Sequence, residues 1–154
     1  MRTLVCVILV GMLLFSCKKE VKELRRDDSA IKDTGLIISY GVYRGWCAGD
    51  DSLTITANDL CYLLIAKCGE SEISKHKSIT PDIKSNLLNL LDFETFKKLQ
   101  LNSCNICFDG SDYWISIKNN SYYHRIRYGA GDSTAISSMK LFVKELDRLK
   151  AEFE

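Results

Sequence analysis

A stretch of alternating side chains, DYWISIKNNSYYHRIRYG (Asp112–Gly129), constrains the fold of this 154-residue chain more than any other. Apolar and polar residues alternate on both sides of Asn119-Asn120, which is the period of a half-buried β-strand. Asparagine tolerates the positive φ angles of a two-residue hairpin turn, so this pair is the predicted tip. The pattern predicts an antiparallel β-hairpin with one buried face and one exposed face.

The predicted tip also sets the register of this hairpin. On the apolar face, Ile117 faces Tyr122, Ile115 faces His124, and Tyr113 faces Ile126. On the polar face, Lys118 faces Ser121, Ser116 faces Tyr123, and Trp114 faces Arg125. A slip by one residue would bury Arg125 and Arg127, so the alternation favours this choice of faces.

Three further strands and a turn are indicated in the first half of the domain. Leu36–Tyr40 and Ser52–Thr56 are rich in β-branched and aromatic residues. Asn58-Asp59 is the predicted turn into Leu60–Ala66. This tip would place Ile55 opposite Tyr62 and Leu53 opposite Leu64.

Three helical segments carry apolar residues at helical spacing. Thr80 as N-cap and Pro81 at the first helical position predict a helix start, and Asp92 is a second cap. Asp132 is the predicted cap of an amphipathic helix of about four turns that starts at Ser133. The apolar positions of the three segments are Ile83, Leu87, Leu90 and Leu91, then Phe93, Phe96 and Leu99, then Ile136, Met139, Val143, Leu146 and Leu149.

The predicted order of elements is β-β-β-α-(α)-β-β-α. This order predicts an α+β fold, a two-layer sandwich with an antiparallel sheet of about five strands and two to three helices on one face. The other face of the sheet is then open.

The N-terminus has the layout of an export signal. Arg2 precedes an almost wholly apolar run, Leu4–Phe15. A core helix would have a polar face, and this run has none. The run is also shorter than the about 20 residues that span a bilayer. We therefore expect the chain to be exported.

The end of this run, Leu14-Phe15-Ser16-Cys17, resembles a bacterial lipobox. The resemblance implies that Cys17 becomes the first mature residue and carries a covalent lipid, which anchors the protein to a membrane. Lys18 resembles the sorting of lipoproteins away from the inner membrane, so the expected location is the outer membrane, on its periplasmic or its exterior side. An ordinary signal peptide with a coincidental cysteine is the alternative.

The expected domain organisation is a lipoprotein signal peptide (1–16), a charged flexible tether (17–34) and one α+β domain (35–154). Residues 18–34 hold eleven charged side chains in 17 positions, which is typical of a solvated linker. Residues 35–154 hold 14 basic and 15 acidic side chains. This balance gives no global basic field, so we do not expect a nucleic-acid partner.

The opening of the domain, ISYGVYRGWCAGDDSLTI (Ile38–Ile55), resembles the start of small uncharacterised domains found in bacterial lipoproteins. In those domains, glycine and cysteine residues precede a Leu-Thr-Ile strand. The resemblance implies no activity.

Five cysteines remain beyond Cys6 and Cys17, and outside the cytoplasm they are candidates for disulfide bonds. Because five is an odd number, at least one stays free or pairs between molecules. A thiol-redox site at the C-x-x-C pair of Cys104 and Cys107 is one alternative. A zinc site of Cys61, Cys68, Cys104 and Cys107, with or without His76, is another, although the C-x₆-C spacing of Cys61 and Cys68 fits zinc poorly. The five are Cys47, Cys61, Cys68, Cys104 and Cys107.

No catalytic motif of the G-x-S-x-G or H-E-x-x-H type occurs. His124 alternates into the core and is expected to be a hydrogen-bonded core residue, and His76 lies in a predicted polar loop. Turn chemistry explains Asp50-Asp51, Asp109–Asp112 and Gly129–Gly131 without a calcium or anion site. We therefore expect neither an enzyme nor a cofactor, apart from the lipid on Cys17.

The outward face of the Asp112–Gly129 hairpin is the candidate binding surface. Aromatic residues and arginine are enriched in binding hot spots, and a cation–π pair is expected between Trp114 and Arg125. A solvated sheet face with no binding role is the alternative. The candidate residues are Trp114, Ser116, Lys118, Tyr123, Arg125 and Arg127.

The sequence therefore favours a lipid-anchored cell-envelope lipoprotein with a non-enzymatic binding domain. The expected partners are the membrane, through the lipid, and an envelope protein, a glycan or an incoming toxin. A thiol-redox or metal-binding envelope protein that uses Cys104 and Cys107, or a purely structural envelope protein, is the alternative.

Overall fold

The sheet of this protein has six antiparallel strands. The computed structural model describes residues 35–69 and 71–154, so the predicted signal peptide, Cys17 and the tether lie outside the described residues. The sheet order is β4-β3-β2-β1-β5-β6, with every neighbouring pair antiparallel. The strands are β1 (Ile37–Arg44), β2 (Asp50–Ile55), β3 (Asp59–Ile65), β4 (Ile73–Ser78), β5 (Ser111–Lys118) and β6 (Tyr123–Tyr128).

Helices cover one face of this sheet, which confirms the predicted two-layer α+β sandwich. They are α1 (Pro81–Leu90), α2 (Phe93–Lys98) and α3 (Lys140–Ala151), with short 3₁₀ turns at Asn105–Phe108, Ala130–Asp132 and Ser137–Met139. Strand residues such as Tyr40 and Ile115 share one core with Phe142 and Leu146 of α3, and all four are fully buried. Each such side chain contributes about 1.5–3 kcal/mol of hydrophobic stabilisation.

The predicted faces of the β5–β6 hairpin are confirmed, but the predicted register is wrong by two residues. Ile115 faces Ile126 instead of His124, and Ile117 faces His124. The two-residue loop lies one position later than expected, because the side chain of Asn119 accepts a hydrogen bond from the Ser121 N–H at 3.0 Å. This Asx turn makes Asn119 the first residue of the turn, and a shift of two residues preserves the faces.

The β2–β3 hairpin shows the same kind of difference. Ile55 faces Leu60, and Leu53 faces Tyr62. The Thr56 hydroxyl accepts a hydrogen bond from the Asp59 N–H at 3.1 Å, so the turn begins at Thr56 and its tip lies one residue before the predicted one. These four residues are buried on the helix side of the sheet, and Leu64 of the predicted set is partly buried against the same core.

Strand β4 replaces the polar loop that was predicted around His76. Its six residues are all exposed, so the strand shows no alternation of apolar and polar side chains. It pairs with β3 at the sheet edge. On its helix side, the Lys75 and Lys77 ammonium groups donate hydrogen bonds to the carbonyls of Phe153 and Glu152. Lysines are common on edge strands because they discourage pairing with other chains.

The first two predicted helix starts are confirmed, and the third is wrong. The Thr80 hydroxyl accepts from the Ile83 N–H, and the Asp92 carboxylate accepts from the Thr95 N–H. Helix α3 begins at Lys140 instead of Ser133. Asp132 does not cap it, because its carboxylate accepts hydrogen bonds from the Ser103 hydroxyl and the Gly129 N–H.

Candidate binding surface

The side of the sheet away from the helices, which we call the open face, carries all six predicted binding residues. Its residues on β1, β5 and β6 are those that alternate with the buried core positions. Tyr43 of β1 joins the predicted set, because β1 extends to Arg44 instead of ending at Tyr40. The set is then Tyr43, Trp114, Ser116, Lys118, Tyr123, Arg125 and Arg127.

Trp114 lies flat against β1 on this face. A Cβ atom on Gly41, the residue opposite Trp114, would lie 2.7 Å from Cζ2 of the indole and would also clash with the Asp51 carbonyl oxygen. Only glycine therefore leaves room for the indole at this position. The side chain is partly exposed, and its Nε1 atom is buried without a hydrogen-bond partner among the described residues.

The Arg125 guanidinium covers the indole. Its Cζ atom lies 4.3 Å from the centroid of the Trp114 ring and 5.3 Å from that of Tyr43, and its Nη2 donates a hydrogen bond to the Tyr43 hydroxyl. The two rings stack with centroids 5.9 Å apart. We call these three residues the aromatic–arginine cluster. The expected cation–π contact is present, and it runs diagonally, because Trp114 directly faces Arg127.

Arg127 is held by the segment before β5. Its Nε donates to the Ser103 carbonyl and lies 3.6 Å from a carboxylate oxygen of Asp112. Asp112 is fully buried and accepts hydrogen bonds from the backbone and side-chain N–H groups of Asn105 at 2.9 and 3.0 Å. These bonds fix the 3₁₀ turn to the start of β5 and orient Arg127 along the sheet edge.

A groove of about 430 Å³ lies between Arg125 and Arg127 on one side and the segment that follows α2 on the other. Leu101–Ser103 runs along the outer edge of β6, where the Arg127 N–H donates to the Leu101 carbonyl and the Ser103 N–H donates to the Arg127 carbonyl, both at 2.9 Å. The residues that line the groove are Tyr43, Gln100, Leu101, Asn102, Arg125 and Arg127.

Sequence reasoning missed four of the six residues that line this groove. Residues 100–102 show no periodicity that would assign them to a sheet edge. Tyr43 had a usable signal, since it continues the two-residue period of Leu36–Tyr40 and shares the face of Ile37.

The remaining predicted binding residues lie outside the groove. Ser116 is buried, with 8% of its surface exposed, between Arg125 and Ser39. Lys118 and Tyr123 face each other at the hairpin end of the sheet, and both are exposed. The structure thus brings together Trp114, Arg125 and Arg127, and places the other three farther along the same face.

The cysteines of the described residues form two disulfide bonds, Cys47–Cys68 and Cys104–Cys107. Cys61 is the free cysteine of the described residues, and its Sγ lies 3.8 Å from Nε2 of His76 on the open face. Because Cys68, Cys104 and Cys107 are all bonded to other cysteines, the four-cysteine zinc set is not assembled. Among the described residues, no group of three or more potential metal ligands occurs.

Asp50 and Asp51, two of the carboxylates considered as calcium ligands, pair with cations instead. Asp51 is buried and bonded to Lys150 at 2.8 Å and Arg44 at 2.6 Å. Asp50 pairs with Lys67 at 2.7 Å. These pairs hold the β1–β2 loop against β3 and the end of α3.

The two remaining polar features are structural. The His124 ring donates from Nε2 to the Leu99 carbonyl at 2.8 Å and packs edge-on against Phe96, which confirms the predicted core histidine. The Ser103 hydroxyl and the Gly129 N–H lower the pKa of Asp132. Because the Gly129 N–H already donates to the Asp132 carboxylate, it is not available to bind an anion at the Gly129–Gly131 turn.

A second exposed apolar feature lies in the loops next to β1 and β5. Trp46 and Phe108 are 85% and 88% exposed. The Gly45 N–H donates to the Gly110 carbonyl at 3.1 Å, which ties the two loops together. Variants of Trp46 and Phe108 therefore serve as a comparison for variants of the open face in any binding test.

Comparison with known proteins assigns no family to this chain. No family of known proteins matches the sequence, and a search of curated proteins finds no similar sequence. Within residues 35–69 and 71–154, no helix is both long and apolar enough to cross a membrane.

Proposed function

We propose that this protein is a lipid-anchored lipoprotein of the cell envelope whose domain binds a partner through the open face of its sheet. The observation that carries the proposal is the aromatic–arginine cluster. Arg125 is exposed, yet its guanidinium is held over Trp114 and Tyr43 on the side of the sheet that the helices leave uncovered.

The cluster has the properties of a binding anchor. Tryptophan, tyrosine and arginine are the residue types most enriched in hot spots. Ordering a long side chain on binding costs about 0.5–1.5 kcal/mol. The contacts of Arg125 with two rings and one hydroxyl reduce this cost, because the side chain is already ordered before a partner arrives.

The lipid anchor is supported by the N-terminal sequence. Leu14-Phe15-Ser16-Cys17 resembles a lipobox, and Lys18 resembles sorting to the outer membrane. As a flexible chain, the 17 residues from Lys18 to Thr34 would reach about 20–25 Å. A domain on such a tether can meet an envelope protein, a glycan or an incoming toxin.

The open face is tested by chemical crosslinking in cells that express the full-length chain. We expect Arg125→Ala to abolish recovery of the crosslinked partner while the domain stays folded, because Arg125 is exposed. Trp114→Ala has the same expected effect on recovery. Arg148→Ala on α3 is the matched control, since it removes an exposed arginine from the helix layer.

Unchanged recovery with Arg125→Ala and Trp114→Ala would contradict the proposal. The proposal would also be contradicted if Trp46→Ala and Phe108→Ala abolished partner recovery and Arg125→Ala did not. The partner would then bind to the exposed loops.

A thiol-redox role for Cys104 and Cys107 is the alternative. The disulfide joins Cys104, the residue before a four-residue 3₁₀ turn, to Cys107 within that turn. A redox-active cysteine instead needs the N-terminus of an α-helix or a cation to stabilise its thiolate. The turn therefore supports a structural bond. Full complementation of a deletion strain by Cys104→Ser with Cys107→Ser would exclude the redox role, and failure of a stably folded double variant would favour it.

A further inference from the structure

The half of the open face formed by β5 and β6 carries positive charge that no exposed carboxylate balances. Lys118 and Arg125 are both exposed there. Asp112 is the single carboxylate of these two strands, and it is fully buried and hydrogen-bonded to the 3₁₀ turn. A molecule that approaches this half of the sheet therefore meets an excess of positive charge.

Arg125 has donors to spare. Among the described residues, its guanidinium donates to the Tyr43 hydroxyl and pairs with no carboxylate. Arg127 differs, since it lies 3.6 Å from Asp112 and donates to Ser103. A guanidinium presents five N–H donors in a planar fork that matches a carboxylate.

The groove adds neutral donors and an apolar wall beside this fork. The side chains of Gln100 and Asn102 are exposed, and Leu101 is partly buried between them. Amides donate to carboxylate oxygens without a charge of their own. The groove volume of about 430 Å³ lies in the range of ordinary ligand pockets.

We propose that this groove binds a carboxylate side chain of an acidic peptide segment on the partner protein, an inference that rests on the proposed function of the open face. The carboxylate accepts hydrogen bonds from the free edge of the Arg125 guanidinium and from the Gln100 or Asn102 amide. Lys118 attracts further acidic residues of the same segment along the face.

Two features favour a peptide side chain over other ligands. A sugar ring stacks on an exposed aromatic face, but the guanidinium of Arg125 covers the Trp114 ring at 4.3 Å. A strand added to β6 beside the groove needs free backbone groups there, but those of Arg127 are already bonded to Leu101 and Ser103. A side chain that enters the groove requires neither an exposed aromatic face nor a free strand edge.

The test measures binding of a fluorescent oligoglutamate peptide to the full chain, purified in detergent, at physiological ionic strength. An oligoglutamine peptide of the same length is the ligand control. We expect the oligoglutamate to bind, and Arg125→Lys to weaken its binding about tenfold, since lysine keeps the charge and loses the planar fork. Arg148→Lys is the matched protein control and leaves binding unchanged.

Tryptophan emission locates the bound peptide. The chain has two tryptophans, so Trp46→Phe leaves Trp114 as the only one. We expect the oligoglutamate to change the Trp114 emission in this variant and the oligoglutamine to leave it unchanged. Binding without an emission change would place the peptide elsewhere and overturn the proposal.

The remaining outcomes separate this inference from the proposed function. No binding of oligoglutamate, or equal weakening by Arg125→Lys and Arg148→Lys, overturns the acidic-peptide inference. Binding of an acidic oligosaccharide that depends on Arg125, in place of the peptide, overturns it as well. In each case, crosslinked partner recovery that still requires Arg125 would leave the proposed function intact.

Discussion

At the scale of single residues, the domain depends on side chains that fit one local environment. Gly41 is required because the Trp114 indole occupies the space where a Cβ atom would lie. Asp51 is tolerated in the interior because Lys150 and Arg44 both pair with it. Asp132 is ionised where it accepts two hydrogen bonds. Each of these residues supports a loop or a strand next to the open face.

We predict that Gly41→Ala destabilises the protein by about 1–3 kcal/mol, because the added methyl group overpacks the contact with Trp114 and the Asp51 carbonyl. The measurement is urea unfolding. Gly131→Ala is the matched control, since a Cβ atom there meets nothing within 4 Å, and it is expected to change stability by no more than about 0.5 kcal/mol. Equal effects of the two substitutions would contradict the packing role of Gly41.

We predict that Asp132 stabilises the fold at neutral pH and loses this effect in acid. The Ser103 hydroxyl and the Gly129 N–H lower the pKa of Asp132 in the folded state, so the folded chain binds its proton less readily than the unfolded chain does. The stabilisation is therefore present above the unfolded pKa of about 4 and is lost as the pH falls through the lower folded value.

Urea unfolding between neutral and acidic pH measures this effect as the stability difference between the wild type and Asp132→Asn. The difference is expected to shrink in acid, because the amide side chain of the variant carries no charge at any pH. A difference that stays constant across this range would show that the ionised form of Asp132 contributes nothing.

At the scale of elements, the connections between strands decide how the open face is built. The Cys47–Cys68 disulfide joins the β1–β2 loop to the segment after β3. The Cys104–Cys107 disulfide closes a single turn before β5. Together with the hydrogen bonds of Asp112, they hold both loops that flank the aromatic–arginine cluster.

We predict that the two disulfides differ in their contribution to stability. Cys47 and Cys68 are 21 positions apart, and Cys104 and Cys107 are 3 apart. Cross-linking the longer loop removes more conformational entropy from the unfolded chain, so replacing both cysteines by serine is expected to cost about 3 kcal/mol for Cys47–Cys68 and about 2 kcal/mol for Cys104–Cys107. Urea unfolding of the two double variants gives the comparison, and the reverse order would argue against it.

At the scale of the whole molecule, the proposal combines a membrane anchor with a two-layer domain. The helices cover one face of the sheet and bury a continuous apolar core. Under the proposal, the opposite face binds another molecule. A flexible tether, as the sequence predicts, would let the domain reach that molecule from the membrane surface.

We predict that Cys17 is the lipid attachment site. Labelled palmitate is expected to enter the wild-type chain and to be absent from Cys17→Ser, which would then leave the membrane fraction. Cys61→Ser is the matched control and is expected to keep the label, because Cys61 lies in strand β3 of the folded domain. Label that persists in Cys17→Ser, or never enters the wild type, would refute the anchor.

The sequence by itself determined the local features of the fold. Alternation placed Ile115, Ile117 and Ile126 on the buried face and Trp114, Arg125 and Arg127 on the other, since side chains alternate along any strand. Thr80 and Asp92 identified two helix starts, because a cap acts within three residues. The order of the elements predicted the α+β class, and the odd number of cysteines in the domain predicted an unpaired one.

The tertiary structure decided everything that depends on distant contacts. The two hairpin registers are an exception, because Asn119 and Thr56 set them through bonds within their own turns, which alternation does not encode. Strand β4 has no apolar face, so only its pairing with β3 defines it. The groove joins Tyr43, Gln100 and Asn102 to Arg125 across segments far apart in the chain, and the disulfide partners meet only after the sheet has formed. The sequence therefore determined which face of each strand is exposed, while the packed sheet determined which of those exposed residues meet.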